Sequence, residues 1–253
     1  MARLNSYHLP HHLWPGQEDL AHLQGQEARH LLGVLRARAG ETVRLFDGLG
    51  RHGLFEIVEA AGKNLARLRR LSETIEPAPE RGVTLALGWN KASRRDWLLE
   101  KGVELGARGI LFWQAARSQG DMPREPKESW LDKCVQAAKQ CQSAWLPRLD
   151  VAEGGVEGLL RVAAEYDGCY VLYEGASEQD LLDPCRLASG HSLVVLGPEG
   201  GLEEREAARL AEAGFALASL GPRPLRWETA ALSCLALAHH AGLAGQTLCP
   251  AAK

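Results

Sequence analysis

No stretch of this 253-residue chain stays apolar for the ~20 residues that a membrane-spanning helix requires. The opening residues, MARLNSYHLPHHLWPGQ, lack the apolar core of a secretory signal. A cytoplasmic location and no membrane partner are therefore expected. There is also no C-x-x-C pair. Cys134, Cys141, Cys169, Cys185, Cys234 and Cys249 are scattered, which argues against zinc and against a disulfide framework and predicts free thiols in a reducing compartment. The spacing of Cys134 and Cys141 fits one face of a helix better than a bridge. No metal is expected. Internal repeats and low-complexity tracts are absent as well.

What remains is an ordinary globular composition, 45% hydrophobic and 24% charged, in a chain long enough for two domains. The net charge of −3 conceals a segregation. Residues 1–73 carry 10 Lys/Arg against 8 Asp/Glu, and six of the nine histidines. Residues 91–148 carry 11 against 7, and residues 149–214 carry 4 against 14. Local patches govern polyanion binding as much as the total does. The first 150 residues can thus offer a nucleic-acid face, and the acidic segment is a poor one. Chance clustering on solvated faces would look the same.

SETIEPAPERGV (72–83) has two prolines, three glutamates and few large apolar residues, and reads as a linker. The predicted division is a first domain over 1–73, a linker over 74–82 and a second domain over 83–253. Upstream of the linker, Val43/Leu45, Leu54, Ile57/Val58 and Leu65/Leu68 predict short antiparallel strands, with a turn at Asp47-Gly48. Ala28, Leu31, Leu32 and Leu35 have helical spacing, with Gly40 as a C-cap. Together they predict a small β-barrel with a short helix. Downstream, strand and helix alternate: VTLALGW, SRRDWLLEKGVELGA (Trp97, Leu98, Val103 and Leu105 inward), GILFWQA, ESWLDKCVQAAKQCQSA, VEGLLRVAAEY, CYVLYE, HSLVVLG, LEEREAARLAEAG, FALASLG and ETAALSCLALAHHAGL. This alternation predicts an α/β domain with a mostly parallel sheet and helices on both faces.

In such sheets ligands sit at the carboxyl ends of the strands. LVVLGPEGGLEEREA leaves a buried strand at Leu196 through Gly197, Pro198, Glu199, Gly200 and Gly201. Glycines there let backbone approach a ligand closely. A phosphate cradle would add a lysine and keep carboxylates off the following helix. Here Glu203 and Glu204 occupy its first turn, so the loop suits an uncharged or cationic ligand such as an adenosine bearing a sulfonium. A second loop, SLGPRPLRWETAALSCLALAHH, contributes Leu220, Gly221, Pro222, Leu225 and Arg226. It enters a helix rich in small apolar residues, of the kind buried on several sides or packed on a copy of itself. Tyr173-Glu174 ends another strand at the same edge.

These two loops, with EARHLLGVLRARAGETVRLFDGLG and KASRRDWLLEKGVELGARGILFWQAARS (Lys91, Lys101, Glu104, Leu105, Gly106, Arg117, Ser118), resemble the ribosomal RNA small subunit methyltransferase E family of the SPOUT superfamily. The similarity covers roughly residues 20–243. It implies an N-terminal PUA-like RNA-binding β-barrel and a SPOUT α/β domain with a deep trefoil knot over about 193–245. It also implies S-adenosyl-L-methionine as cofactor, a homodimer, and methylation of N3 of a uridine in 16S rRNA, within the assembled 30S subunit. The sequence departs from the family at Lys139 (usually glutamate), Ser143 (where an arginine would stand), Pro224 and Trp227.

N3 of uridine carries a proton and attacks only once that proton leaves. Donors must then stabilise charge on O2 and O4. Arg226 and Arg117 are the candidate donors, with Arg223 nearby. Glu199 is a candidate base, and Glu228 either a second base or a helix cap. N3 lies on the pairing edge, so the base must be unpaired or flipped. Arg36, Arg38, Arg69 and Arg70, with Arg94 and Arg95, are expected to form a phosphate-contacting face. His30, His239 and His240 read as structural, and Trp130 and Trp145 as core. Two rival functions are methylation of another RNA, such as tRNA, and RNA binding without catalysis.

Overall fold

The computed structural model describes residues 4–62, 64–90, 94–177 and 179–244. Lys91, Cys249 and the C-terminal end of the second expected domain lie outside them. The described residues divide into two compact units, 4–78 with 135–146, and 79–134 with 147–244.

The first unit is a curled five-stranded sheet in the order β1-β3-β4-β5-β2. Its strands are β1 (Ser6–His8), β2 (Leu20–Gln24), β3 (Thr42–Phe46), β4 (Arg51–Ala61) and β5 (Leu65–Ile75). All its pairings are antiparallel except β1 with β3. Val43, Leu45, Phe55, Ile57, Ala66 and Leu68 point inward and form one core with Tyr7, Trp14, Leu23 and Leu31. Burial of such side chains, about 1.5–3 kcal/mol each for the large ones, is the main stabilising term. β5 runs past the expected linker boundary to Ile75, because β4 is long enough to pair with it that far.

The expected helix is shorter than its apolar spacing suggests. α1 (Gly25–Ala28) passes into a wider π-helical turn over Arg29–Val34. Arg36 stops it in the left-handed conformation (φ +54°). Leu31 is buried but Leu35 is exposed, and Gly40 instead donates its N–H to Ile57 O across the sheet.

The segment 135–146 belongs to the first unit for visible reasons, although the sequence reading gave it to the second domain. Lys139 Nζ sits 2.9 Å from both Glu27 carboxylate oxygens and 5.0 Å from the centre of the Tyr7 ring. The departure from the usual glutamate at Lys139 is thus balanced by a carboxylate on α1. Trp145 packs so closely on Gly50 that a Cβ there would lie 2.4 Å from the indole.

The second unit is a six-stranded parallel sheet in the order β11-β9-β10-β6-β7-β8. Its strands are β6 (Gly82–Gly88), β7 (Gly109–Trp113), β8 (Arg148–Ala152), β9 (Gly168–Leu172), β10 (His191–Leu196) and β11 (Ala216–Ala218). Its helices are α2 (Arg95–Glu104), the first part of α3 (Glu128–Cys141), α4 (Val156–Val162), α5 (Pro184–Leu187), α6 (Glu204–Glu212) and α7 (Trp227–Ala244). β8 and α5 had no distinct signal in the sequence, the first being half polar and the second a single turn. Central strands read as continuous apolar runs because both faces are covered. On α2, Leu98 and Val103 are buried as expected, and Leu99 with them, whereas Trp97 is 41% exposed. Trp130 is core, packed at tilted angles against Trp89 and Phe112.

Cys134, Cys141, Cys169 and Cys234 are free thiols, as read from the sequence. Cys185 is disulfide-bonded, against that expectation.

Candidate active site

β11, β9 and β10 are adjacent and parallel, so their carboxyl ends emerge on one side. The chain after β9 contributes Tyr173 and Glu174, the loop after β10 contributes residues 197–202, and the loop after β11 contributes residues 219–225. Between them lies a cavity of about 610 Å³, also lined by Arg117 from beyond β7 and by Trp227 and Ala230 of α7. Every expected cofactor residue except Arg226 lines it: Tyr173, Glu174, Leu196, Gly197, Pro198, Glu199, Gly200, Gly201, Leu220, Gly221, Pro222 and Leu225. Arg226 is exposed, between two residues that do.

The loop after β10 is fixed from several sides. Buried Trp113 donates its indole N–H to Leu196 O at 3.2 Å, and Gly201 donates its N–H to Pro198 O at 2.8 Å. Arg117 Nη1 donates to Gly200 O at 3.0 Å. A Cβ on Gly197 would lie 2.9 Å from Gly201 C and Leu202 N, so only glycine fits that turn. Gly88, at the end of β6, abuts the same loop: a Cβ there would sit 2.4 Å from Pro198 N. Sequence reasoning passed over Gly88, whose only signal was a glycine at a strand end. The loop closes at Glu203, the N-cap of α6, in a reciprocal capping box with Glu206.

The loop after β11 has fewer ties. Ser219 donates its N–H to Asp180 O at 2.8 Å, and Gly221 donates its N–H to Ser219 Oγ at 3.1 Å. Gly221 is left-handed (φ +109°). Residues 222–226 are exposed. Arg223 lines the cavity. No described ion pair engages Arg117, Arg223 or Arg226, so their guanidinium groups keep donors for a ligand.

Glu174 and Glu199 are the exposed carboxylates on the cavity wall. Glu228 is different. It is 6% exposed in the first turn of α7, with Oε1 3.2 Å from Arg94 Nε. That partner favours its structural role over a proton-accepting one. Burial pushes the Cys134 and Cys234 thiols up to about 12, which keeps them protonated and non-nucleophilic at neutral pH. Among the described residues, no group of His, Cys, Asp and Glu could hold a metal ion. Among them too, no helix is long and apolar enough to cross a membrane.

The six arginines expected on an RNA face have unequal surroundings. Arg36 and Arg38 are exposed, with no described ion pair. Arg69 is 2.6 Å from Glu56 Oε2. Arg70 bonds to Asp19, Glu73, Pro15 O and Gly16 O. Arg94 pairs with Glu228, and Arg95 stacks 4.4 Å over Trp89, where burial lowers its pKa.

A profile of the RNA methyltransferase domain matches residues 76–239, and one of the RNA methyltransferase PUA domain matches residues 23–69. The chain is 32% identical over 226 residues to a ribosomal RNA small subunit methyltransferase E of Bacillus subtilis, covering 84% of this chain and 87% of that one. It is 34% identical over 228 residues to the enzyme of that name from Mycobacterium bovis, covering 87% and 86%. The chain belongs to the ribosomal RNA small subunit methyltransferase E family. A crystal structure of a family member from Neisseria gonorrhoeae bound to S-adenosyl methionine superposes with a TM-score of 0.75 at 29% identity, covering 97% of this chain and 98% of that one. The strand-end loops described above fall within the matched RNA methyltransferase domain.

Proposed function

We propose that this chain methylates N3 of a uridine in the 16S rRNA of the small ribosomal subunit, using S-adenosylmethionine. The observation that carries this reading is the cavity at the ends of β9, β10 and β11, in a chain of the ribosomal RNA small subunit methyltransferase E family. Its volume of about 610 Å³ suits a nucleoside-sized ligand. Its wall carries Glu174 and Glu199 beside Arg117 and Arg223, with no lysine, a balance of charge that suits a ligand bearing both a cationic and an anionic group. When bound, the cofactor supplies an electrophilic methyl group.

The chain's own residues do the rest. The tied loop 197–202, with Leu220, Gly221, Pro222 and Leu225, holds the adenosine largely through backbone groups, and Tyr173 and Glu174 close the side near β9. Glu199 accepts the proton from N3 of the uridine. Arg226 and Arg117 donate hydrogen bonds to the carbonyl oxygens on which charge builds. Water exclusion by the apolar wall, Leu196, Leu225 and Trp227, strengthens those bonds. Arg226 belongs on the substrate side, since its neighbours and not Arg226 itself line the cavity.

Arg36 and Arg38 are the phosphate contacts of a PUA-like barrel, and Arg69, Arg70, Arg94 and Arg95 contribute less because each already has a partner. The protein forms a homodimer through α7, whose Leu243 is 76% exposed. The SPOUT knot over about 193–245 is supported by α7, which follows the edge strand β11 yet packs on α2, α5, β6 and β10. The site of action is the cytoplasm, on assembled 30S subunits, and no metal takes part.

Calorimetry with S-adenosylmethionine, followed by transfer of a labelled methyl group, tests this. Saturable binding and label recovered as 3-methyluridine from 30S subunits are expected. Label in tRNA instead, or no binding, would refute it.

A further inference from the structure

Glu206 is a buried carboxylate that neither binding nor catalysis, as proposed above, uses. It is 8% exposed, although glutamate on an amphipathic surface helix ordinarily faces water. One carboxylate oxygen accepts the Glu203 N–H at 3.0 Å, which is half of the capping box of α6. The other reaches out of the helix and accepts the Ala116 N–H at 2.9 Å. That second bond joins α6 to the turn after β7, 90 residues earlier in the chain. Ser118 holds the same turn from within, its Oγ accepting the Ala115 N–H at 2.9 Å. Arg117 lies between the two tethers and sends Nη1 to Gly200 O at 3.0 Å. The path from Glu206 to Ala116, Arg117 and Gly200 therefore closes a ring on the loop that enters α6.

We propose that Glu206 is a positioning residue for Arg117: it fixes the turn at Ala116 so that the exposed guanidinium is held against the loop after β10 and aimed into the cavity. The inference rests on the role of Arg117 put forward above. A carboxylate is required because two N–H groups converge on it, and each of its oxygens takes one. An amide of the same size has a single acceptor oxygen and would face the other N–H with its own donor group. Arg117 would then keep its charge and lose its aim. A misplacement of about 1 Å can lower a rate by ~10²-fold without changing what binds.

The full-length chain with Glu206→Gln, Arg117→Ala and the double variant forms the test, with S-adenosylmethionine and 30S subunits as ligands. Glu206→Gln is expected to keep the cofactor Kd within about 3-fold, to lower the single-turnover rate by ~10–100-fold, and to lose hydrogen-exchange protection at the Ala116 amide. The double variant is expected to be no slower than Arg117→Ala alone, because a positioning residue has nothing left to position. Multiplied losses in the double variant would overturn the proposal, as would retained protection at Ala116. A wild-type rate for Arg117→Ala would instead overturn the role of Arg117 itself. If Glu206→Gln does not fold, Glu206→Asp replaces it, keeping the charge at the helix terminus while shortening the reach by one methylene; the same rate, exchange and double-variant outcomes then decide.

Discussion

The two glycine-proline loops around the cavity look alike in sequence, LGPEGG and LGPRPL, and differ in how they are held. The first, after β10, is bonded through Trp113, Arg117 and its own Gly201, abutted by Gly88, and locked to α6 by a capping box. The second, after β11, has Ser219 as its main tie and leaves residues 222–226 exposed. A tied loop presents a fixed backbone to a ligand without paying ordering entropy at binding. A loop with few ties is drawn from the low-stability end of the structure and can close over a second substrate. The first loop thus suits the cofactor alone, and the second, which shares the adenosine through Leu220, Gly221, Pro222 and Leu225, also presents Arg223 and Arg226 to the RNA base.

The sharpest way to break this contrast is to place one methyl group in each loop. Gly197→Ala puts Cβ 2.9 Å from Gly201 C and Leu202 N, with no flexible side-chain end able to give way between them and those backbone atoms. Overpacking of this kind costs about 1–3 kcal/mol, so cofactor affinity is expected to fall by ~10–100-fold by calorimetry. Gly221→Ala meets no atom within 4 Å and strains only the backbone at φ +109°. The open surroundings let that loop readjust, so a fall of only ~5-fold is expected, the equivalent of a backbone cost of about 1 kcal/mol. Equal effects in the two variants would remove the distinction.

The same contrast between engaged and unengaged groups applies to the arginines of the first unit. Arg36→Gln and Arg38→Gln are expected to lower the salt dependence of RNA binding by about one unit per contact. Arg69→Gln and Arg70→Gln are expected to change the slope less, since Glu56, Asp19 and Glu73 already neutralise them. Filter binding on 30S subunits across a salt series reads both.

Much of this was legible in the sequence because the relevant signals are local. Continuous apolar runs marked β6, β7, β9 and β10, and the two Gly-Pro loops marked the cavity. The sequence could not show which loop is tied, since Trp113, Gly88 and Glu206 act through contacts between distant segments. Glu206 in particular reads as one more charge in EEREAARLAE, and only its burial distinguishes it. Leu35 and Gly40 misled for the reverse reason: helical spacing continues past Val34, but the left-handed Arg36 and the pairing of Gly40 with Ile57 end the helix early. Nor could the sequence show that Lys139 and Trp145 find partners, Glu27 and Gly50, among residues 1–78. All six arginines were chosen on charge, which carries no information about the carboxylates and rings beside four of them.

The division of labour between the loops is tested most directly by Arg226→Ala, with cofactor affinity and the single-turnover rate measured on the same preparation. Arg226 sits on the loosely held loop and outside the cavity lining. The expected result is an S-adenosylmethionine Kd within about 2-fold of wild type and methyl transfer to 30S subunits slowed by ~10²-fold, the loss seen when one transition-state donor is removed. A rate that falls only in proportion to a weakened Kd would place Arg226 in the cofactor site and contradict its assignment to the RNA base.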